Sequence, residues 1–377
     1  MNARAIAFWG SAGLLAYTQV GYGGVLAMLA RRRRNPQPEA PLASGGRAVV
    51  SVIVAAYAEE DVIAERVANL RALDYPPADL EVIVACDGSP DATAERAREA
   101  GADLVLELPR GGKIRAQNAA VARARGEILA FSDANASWAP DALRELVTAF
   151  ADPRVGYVCG DVEFVNDSGS NQEGVYWRYE MLLRALESSV RSVTGGNGAI
   201  YATRRESYFE VDPIMGHDLS FPFNMVKRGW LAVYAPGARA REKMVPSIEG
   251  EFARKRRMMS HGWPIVLRGG MLSLRGYDPV YALMIFSHRI LRYASPFLHL
   301  VALAASVALI GDGWVYGAAV ALQAAVLAAA FAAPAVPLRP FLVARYYVWT
   351  TASLAAGLWD WLSAGTDAGW EPAAGTR

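Results

Sequence analysis

The stretch AVVSVIVAA, residues 48–56, decides the fold. It is a continuous run of small and β-branched apolar residues, which is typical of a strand buried on both faces of a sheet. Residues 59–71 follow with helical spacing, so the two segments form a strand-helix unit. The unit recurs, with predicted strands at 81–86, 104–108 and 127–132 and helices at 91–100, 113–125 and 140–150. This alternation predicts an α/β domain with a mainly parallel sheet.

The overall composition is too apolar for an ordinary soluble enzyme of this length. Of the 377 residues, 53% are hydrophobic and 20% are charged. The formal net charge is only +1, so we expect no nucleic-acid partner. The two cysteines, Cys86 and Cys159, are too few for a disulfide framework.

The N-terminal apolar segment is long enough to cross a bilayer. Residues 5–30 carry no charge, and four arginines follow directly at 31–34. We therefore predict a transmembrane helix over residues 1–30, with the arginines and the domain after them on the cytoplasmic side. A basic, Pro- and Gly-rich linker is predicted over residues 31–47.

The C-terminal third of the chain combines amphipathic and apolar segments. Residues 277–295 form an amphipathic pattern that favours a helix in the membrane interface, with packing on the domain as the alternative. Residues 296–363 hold two or three further helices: two apolar runs separated by Gly311-Asp312-Gly313, as in a transmembrane hairpin, and a last run at 341–362 that spans the membrane or lies in its interface. A tail at 364–377 completes the chain.

Polar clusters follow two of the predicted strands. The cluster at 87–91, DGSPD, taken alone is better explained as a turn before the next helix. Asp133, by contrast, comes directly after a buried run, where a carboxylate needs a partner such as a metal ion. Lys113 follows two glycines in a loop suited to an anion. Because ligands gather at the carboxyl ends of parallel strands, these residues predict a site for a nucleoside diphosphate and a metal ion.

Over residues 48–265, the sequence resembles the inverting family 2 glycosyltransferases with the GT-A fold, and we assign that domain to residues 48–276. Residues 52–59, VIVAAYAE, resemble the first-strand motif that holds the nucleotide, and residues 86–89 and 112–118 resemble the next two motifs. The resemblance implies that these motifs supply five contacts to the donor: Ala55, Tyr57, Glu59, Asp87 and Lys113.

The segment Asp133-Ala134-Asn135 stands where the family has Asp-x-Asp. In the family this motif binds the divalent ion that bridges the two phosphates of the donor. The resemblance therefore implies Mg²⁺ or Mn²⁺ on Asp133 and Asn135, with Asp133 also part of the donor site. Asn135 offers a neutral carbonyl oxygen, so we expect a weaker hold on the metal than two carboxylates would give.

Two residues are candidates for binding the acceptor. Asn197 lies in Gly195-Gly196-Asn197-Gly198, which resembles the acceptor-side segment of the family, with a simple turn as the alternative. Trp177 could stack on a sugar, although an aromatic residue on the amphipathic helix predicted at 176–191 is more often a core residue.

The dipeptide His217-Asp218 stands where the family has Glu-Asp or Asp-Asp. The resemblance makes Asp218 the general base, which takes the proton from the acceptor hydroxyl as its oxygen attacks the anomeric carbon. One carboxylate is enough for inverting transfer. The alternative is that Asp218 caps a helix over 219–228.

The run at 252–259, FARKRRMM, occupies the place of the family's Gln-x-x-Arg-Trp. Arg254 and Arg257 lie on one helical face and can grip a diphosphate together. A cationic stripe against lipid head groups is the alternative, above all for Arg256. Met258 replaces the tryptophan that helps processive members to bind their acceptor, which argues against polymer synthesis.

Taken together, these motifs predict a membrane-bound inverting glycosyltransferase in contact with membrane lipids. We expect an integral protein of the inner (cytoplasmic) membrane, with the catalytic domain in the cytoplasm. The expected donor is a nucleotide-sugar, most simply a UDP-sugar, and the acceptor is a lipid-linked saccharide or a growing polysaccharide. The alternative is a catalytically silent scaffold or regulator that keeps the fold, as Asn135 and the missing tryptophan suggest.

Overall fold

The structure is a computed structural model that describes residues 2–32, 48–165, 173–243, 245 and 247–369. Apart from its first two arginines, the predicted linker at 31–47 lies outside the described residues, as does the predicted tail beyond residue 369.

One sheet of eight strands organises the described part of the domain, in the order β3-β2-β1-β4-β7-β6-β8-β5. Strands β1 to β4 pair in parallel, as do β6 and β8, whereas β7 and β5 run antiparallel to their neighbours. The predicted α/β class with a mainly parallel sheet is therefore confirmed. The strands are β1 Val50–Ala56, β2 Leu80–Asp87, β3 Leu104–Leu108, β4 Ile128–Asp133, β5 Ser137–Trp138, β6 Val155–Val165, β7 Tyr201–Arg204 and β8 Leu231–Lys243.

The central strands form because both faces of the sheet are covered by helices. Every residue of β1 and β2 is buried, as their apolar runs predict. The helices of the domain are α2 Ile63–Arg71, α3 Thr93–Glu99, α4 Lys113–Arg123, α5 Ala142–Ala149, α6 Glu173–Val190, α7 His217–Lys227 and α8 Ile248–Leu267.

Within the described residues, three helices are long and apolar enough to cross a membrane: α1 Ala3–Arg32, α9 Pro279–Ala308 and α10 Trp314–Ala332. Helix α1 matches the predicted N-terminal segment. Helices α9 and α10 are joined at Gly311–Gly313, as expected for the hairpin. The predicted boundary at 295/296 is wrong, because α9 continues through it. Pro296 lies within the helix and has no backbone N–H to donate, a loss that is tolerated in a helix packed among other helices.

The last apolar run forms helix α11, Arg339–Ala364, which packs along α8 of the domain. The Trp263 indole of α8 donates to the Leu354 carbonyl of α11 at 2.8 Å. Arg256 of α8 makes a bidentate ion pair with Asp360 of α11, with both N–O distances at 2.6 Å. Arg256, the residue for which a lipid contact was the alternative, is therefore held by a carboxylate of the chain itself.

Candidate functional site

The site forms at the carboxyl edge of the sheet, where β1, β2 and β4 end side by side. In the parallel register, Ala55 of β1 lies opposite Asp133, the last residue of β4. Ala55 is buried as a whole residue, and its contact with the donor stays a prediction. The strand order thus brings Asp133 next to the β1–β2 end that carries the first predicted donor motif.

Lys113 and Asp133 form an ion pair at this edge. Lys113 is the first residue of α4 and follows Gly112, which has a φ of 96°, a conformation that favours glycine. Burial alone would lower the pKa of Lys113, but the Asp133 carboxylate raises it above its ordinary value. The Lys113 ammonium therefore stays charged at neutral pH, next to the carboxylate of the Asp-Ala-Asn motif.

Asp87 orders the loop that leads to Lys113. Its carboxylate accepts the backbone N–H of Gly111 at 2.7 Å and that of Gly112 at 2.9 Å, and Arg110 approaches it at 3.3 Å. The side chain is only 1% exposed. These contacts fix the loop between β3 and α4, and the contact of Asp87 with a base or ribose stays a prediction.

The other two residues of the first motif differ in their surroundings. The guanidinium carbon of Arg110 lies 3.2 Å from the ring centroid of Tyr57, so the two side chains stack. Glu59 is buried, and its backbone N–H donates to the Thr93 hydroxyl at 2.9 Å, which joins the loop after β1 to α3. Tyr57 therefore presents a ring near the strand ends, whereas Glu59 is part of the packed loop.

The loop at 195–198 closes over the Lys113–Asp133 pair. A Cβ built on Gly198 would lie 3.1 Å from Asp133 Oδ2 and 3.3 Å from Lys113 Nζ. Within this loop, Asn197 donates to the Gly160 carbonyl and accepts the Ile200 N–H, both at 2.8 Å. The amide of Asn197 therefore shapes the loop, and its contact with an acceptor stays a prediction.

Asp218 lies in the first turn of α7, close to this loop. The backbone N–H of Gly196 donates to the Asp218 carbonyl at 2.6 Å. The N-cap alternative is wrong, because α7 begins at His217 and its N-cap is Gly216, whose position leaves Asp218 inside the helix. The Asp218 charge also contributes to the raised pKa of Lys113, so the two groups belong to one site.

His217 is buried beside the site as a neutral ring. It shares a hydrogen bond of 2.8 Å between its Nδ1 and the Tyr201 hydroxyl, and it stacks on Phe221 with the ring centroids 4.0 Å apart. Burial, and then the nearby Lys113 charge, lower the pKa of His217 to about 3. His217 is therefore uncharged at neutral pH, and the carboxyl group of the dipeptide belongs to Asp218.

Trp177 lies outside the group of residues around Asp133 and Asp218. Its indole donates to the Val162 carbonyl at 2.5 Å and packs edge-on against Phe164, with the ring centroids 4.8 Å apart. It borders a cavity of about 740 Å³ whose described lining includes neither Asp133 nor Asp218. These contacts favour the packing alternative for Trp177, and its role in acceptor binding stays a prediction.

Arg254 and Arg257 lie on α8, as predicted. Arg254 makes a bidentate pair with Glu251, with N–O distances of 2.7 and 2.8 Å. The Arg257 carbonyl accepts the Ser260 hydroxyl at 2.7 Å inside the helix. Arg254 would therefore have to exchange Glu251 for a phosphate, and the grip of both arginines on a diphosphate stays a prediction.

Comparison with known proteins supports a family for the domain. Residues 51–212 match the model of the family described as Glycosyl transferase family 2. The mannosyltransferase PcManGT from Pyrobaculum calidifontis, solved in complex with GDP-Man and Mn²⁺, superposes with a TM-score of 0.70 and 26% identity over 96% of this chain and 99% of that chain. A glycosyltransferase family 2 domain with the GT-A fold is supported by the family model over residues 51–212 and by this structural neighbour.

Curated relatives extend the comparison. The chain is 34% identical over 203 residues to a beta-monoglucosyldiacylglycerol synthase of Trichormus variabilis, and the aligned region covers 51% of this chain and 42% of the relative. It is 24% identical over 253 residues to a poly-beta-1,6-N-acetyl-D-glucosamine synthase of Staphylococcus aureus, and the aligned region covers 62% of this chain and 60% of the relative. The matches thus span less than two thirds of either relative.

The family 2 domain has a further acidic residue that the sequence analysis missed. Glu242 lies at the end of β8, and burial followed by the charge of Asp133 raises its pKa to about 7. This interaction places Glu242 in the same electrostatic environment as Asp133. Strand β8 begins with a short apolar run, LAVYA at 231–235, but Pro236-Gly237 interrupts it before the arginine-rich end, ARARE, which holds Glu242.

The oxygen donors near Asp133 fit a hard divalent cation. Asp133, Asn135 and Glu242 offer carboxylate and amide oxygens, which Mg²⁺ and Mn²⁺ prefer. The Lys113 ammonium already pairs with Asp133, so a divalent ion would have to replace it at this carboxylate. The described residues contain no cluster of three or more His, Cys, Asp or Glu side chains with ligand geometry, so phosphate and water oxygens would complete the coordination shell.

Proposed function

We propose that the chain is a membrane-bound inverting hexosyltransferase that transfers a sugar from a nucleoside-diphosphate sugar to a lipid-linked or polysaccharide acceptor. The observation that carries the proposal is the meeting of three groups: the Lys113–Asp133 pair, the 195–198 loop that closes over it, and Asp218 beside that loop. The family 2 match and the similar mannosyltransferase support the same reaction class.

In this mechanism Asp218 is the general base. It takes the proton from an acceptor hydroxyl while that oxygen forms a bond to the anomeric carbon, and the bond from that carbon to the diphosphate breaks on the opposite face. The departing diphosphate keeps the electron pair and needs positive charge. Lys113, Arg254 and Arg257 supply that charge from the chain, which stabilises the leaving group without protonating it.

A divalent ion, Mg²⁺ or Mn²⁺, bound by Asp133 and Asn135 with Glu242 nearby would neutralise the diphosphate charge. An ion on Asp133 would also compete with Lys113 for the same carboxylate. Lys113 would then be released to face a phosphate oxygen. The Mn²⁺ in the similar mannosyltransferase structure supports this assignment.

The donor is a nucleotide-sugar whose base lies near Tyr57 and Asp87. A UDP-sugar is the donor expected from the sequence, whereas the similar mannosyltransferase was solved with GDP-Man. Both donors carry the same diphosphate, which the described charges would bind. The experiment below distinguishes them by the base.

The acceptor side of the site is in contact with a candidate membrane helix, which favours a lipid-linked acceptor. A Cβ built on Gly195 would lie 2.3 Å from Arg289 Nη2, and Arg289 belongs to α9. The loop beside Asp218 is therefore packed against a helix that would be embedded in lipid. The glucosyldiacylglycerol synthases among the relatives support a lipid acceptor, and the glucosamine polymer synthases keep polysaccharide as the second class.

The proposed location is the inner membrane with the domain in the cytoplasm, where nucleotide-sugars are made. Arg31 and Arg32 at the end of α1 support this orientation. The three apolar helices would contact membrane lipids directly.

The test is nucleotide release by the purified chain in nanodiscs that contain lipid extract, with a panel of UDP- and GDP-sugars and with Mn²⁺, Mg²⁺ or EDTA. We expect release from one donor that depends on the metal, with a glycolipid product detected by mass spectrometry. Nucleotide binding without turnover for every donor and lipid extract would instead support the silent scaffold.

A further inference from the structure

The chain returns from α11 to the nucleotide end of the proposed donor site. Helix α11 ends at Ala364, and residues 365–369, which we name the strap, continue from it. The strap lies directly on Gly112: a Cβ built on Gly112 would lie 2.1 Å from the Ala368 carbonyl oxygen and 2.7 Å from its carbon. Only glycine permits this approach, so the strap and the loop before Lys113 fit together closely.

The strap is held by the domain. The Thr366 hydroxyl donates to the Ser260 carbonyl of α8 at 2.8 Å. Helix α11, from which the strap extends, is fixed to the same helix by the Arg256–Asp360 ion pair. The strap is therefore anchored on α8, the helix that carries Arg254 and Arg257.

Arg110 lies next to the strap and occupies the face of Tyr57. Its guanidinium carbon is 3.2 Å from the Tyr57 ring centroid, which is stacking distance. A Cβ on Gly369 of the strap would lie 3.8 Å from Arg110 Nη2. A planar nucleobase that stacks on this face of Tyr57 would need the position that Arg110 now holds.

We propose that Arg110 and the strap form a cover over the nucleobase end of the donor site, in which Arg110 holds the place of the base on Tyr57 until the donor binds. The base displaces Arg110 from the ring, and the strap closes again over the bound nucleotide. This inference rests on the proposed function, because it takes Tyr57 as part of the donor site. The strap would thus limit the rates at which the donor enters and leaves the site.

The cover predicts that the strap slows both entry and release of the nucleotide. We would compare the full chain with one that ends at Gly369 and one that ends at Ala364, each in nanodiscs with Mn²⁺. Binding of UDP and of GDP would be followed by stopped-flow tryptophan fluorescence. The chain that ends at Ala364 should show association and dissociation rates at least five times those of the chain that ends at Gly369. The latter should match the full chain.

Two smaller changes test the same contacts without truncation. Thr366→Val removes the hydrogen bond to Ser260 and should raise both rates at least twofold. Arg110→Ala vacates the face of Tyr57 and should raise the association rate, whereas Arg110→Lys keeps the charge but lacks the planar group that stacks. Rates unchanged in the chain that ends at Ala364 and in Arg110→Ala would overturn the proposal.

Hydrogen exchange separates this proposal from the proposed function, because it needs no nucleotide. The amides of Gly111 and Gly112, which donate to Asp87, should exchange at least five times faster in the chain that ends at Ala364 than in the chain that ends at Gly369. Equal exchange would overturn the packing role of the strap. Faster exchange in a protein whose full chain binds neither UDP nor GDP would overturn the proposed function, and with it the nucleobase role of the strap.

Discussion

The Lys113 ammonium is paired with the Asp133 carboxylate at the carboxyl edge of the sheet, with 27% and 28% of the two side chains exposed. Asp133 is the acidic residue of the Asp-Ala-Asn motif, so in this state the motif carries little net negative charge. A divalent ion would take over the carboxylate and leave the ammonium to a phosphate. If Asp133 holds the proposed ion, the pair would link metal binding to diphosphate binding through the exchange of one partner.

This exchange makes Lys113 a direct contributor to diphosphate affinity. We predict that Lys113→Ala weakens binding of UDP or GDP in the presence of Mn²⁺ about tenfold, which corresponds to about 1.4 kcal/mol, because a charge-assisted contact is lost. Isothermal titration calorimetry would measure it. Arg123→Ala, at the other end of the same helix, is the matched control and should bind as the unmodified chain does. Equal affinity in the two variants would contradict the prediction.

Asp218 should be required for turnover but not for donor binding. Asp218→Asn removes the proton acceptor and keeps the shape, so we predict that kcat falls about 10²- to 10⁴-fold while the nucleotide Kd changes less than twofold. Asp312→Asn, in the turn between α9 and α10, makes the same substitution away from the site and should leave kcat unchanged. If Asp218→Asn keeps full turnover, another group is the base.

The parts of this fold that local patterns determine were predictable from the sequence. Strands β1, β2 and β4 lie within two residues of their predicted bounds, because buried parallel strands are apolar throughout. Strand β8 and its Glu242 were missed, because Pro236-Gly237 interrupts the short apolar start of the strand and exposed arginines alternate along its end. The contact between Gly112 and Ala368 joins segments far apart in the chain, and no local pattern encodes such a contact.

The Asp-Ala-Asn motif offers a gain-of-affinity test. Asn135→Asp supplies a second carboxylate to the proposed metal site, so we predict that Mn²⁺ binds about tenfold more tightly, since affinity for hard cations rises with ligand charge. Electron paramagnetic resonance of free Mn²⁺ would measure this in the absence of nucleotide. Asn224→Asp, on α7, adds the same charge outside the motif and is the control. If Asn135→Asp leaves the Mn²⁺ affinity unchanged, the metal is bound elsewhere.

His217 should make stability fall in acid. Its folded-state pKa is lowered from 6.5 to about 3, so the unfolded chain binds a proton more readily than the folded chain between these values. The stability associated with neutral His217 is therefore complete above about pH 6.5 and decreases as the pH falls toward 3, by up to about 1.4 kcal/mol per pH unit.

Thermal unfolding of the purified chain between pH 7 and pH 4.5 would measure this effect. The His217→Gln variant, which cannot take up the proton, should lose less stability over this range than the unmodified chain, even if it starts from a lower Tm. Parallel pH dependences of the two chains would contradict the assignment of the effect to His217.

The ion pair between Arg292 and Glu180 should anchor the first C-terminal membrane helix to the domain. Arg292 lies on α9 and Glu180 on α6, and the two side chains are only 13% and 12% exposed. Removal of Arg292 leaves the buried Glu180 carboxylate with His288, at 3.3 Å, in place of a permanent charge, so we predict that Arg292→Ala destabilises the protein by about 3 kcal/mol. Glu180→Gln in the Arg292→Ala background should restore part of this loss of stability, because it removes the uncompensated carboxylate.

Thermal unfolding in detergent would measure the stability of both variants. The control is Arg98→Ala, which breaks an exposed pair with Glu107 and should change Tm little. An Arg292→Ala variant as stable as Arg98→Ala would show that the Arg292–Glu180 pair does not anchor α9 to the domain.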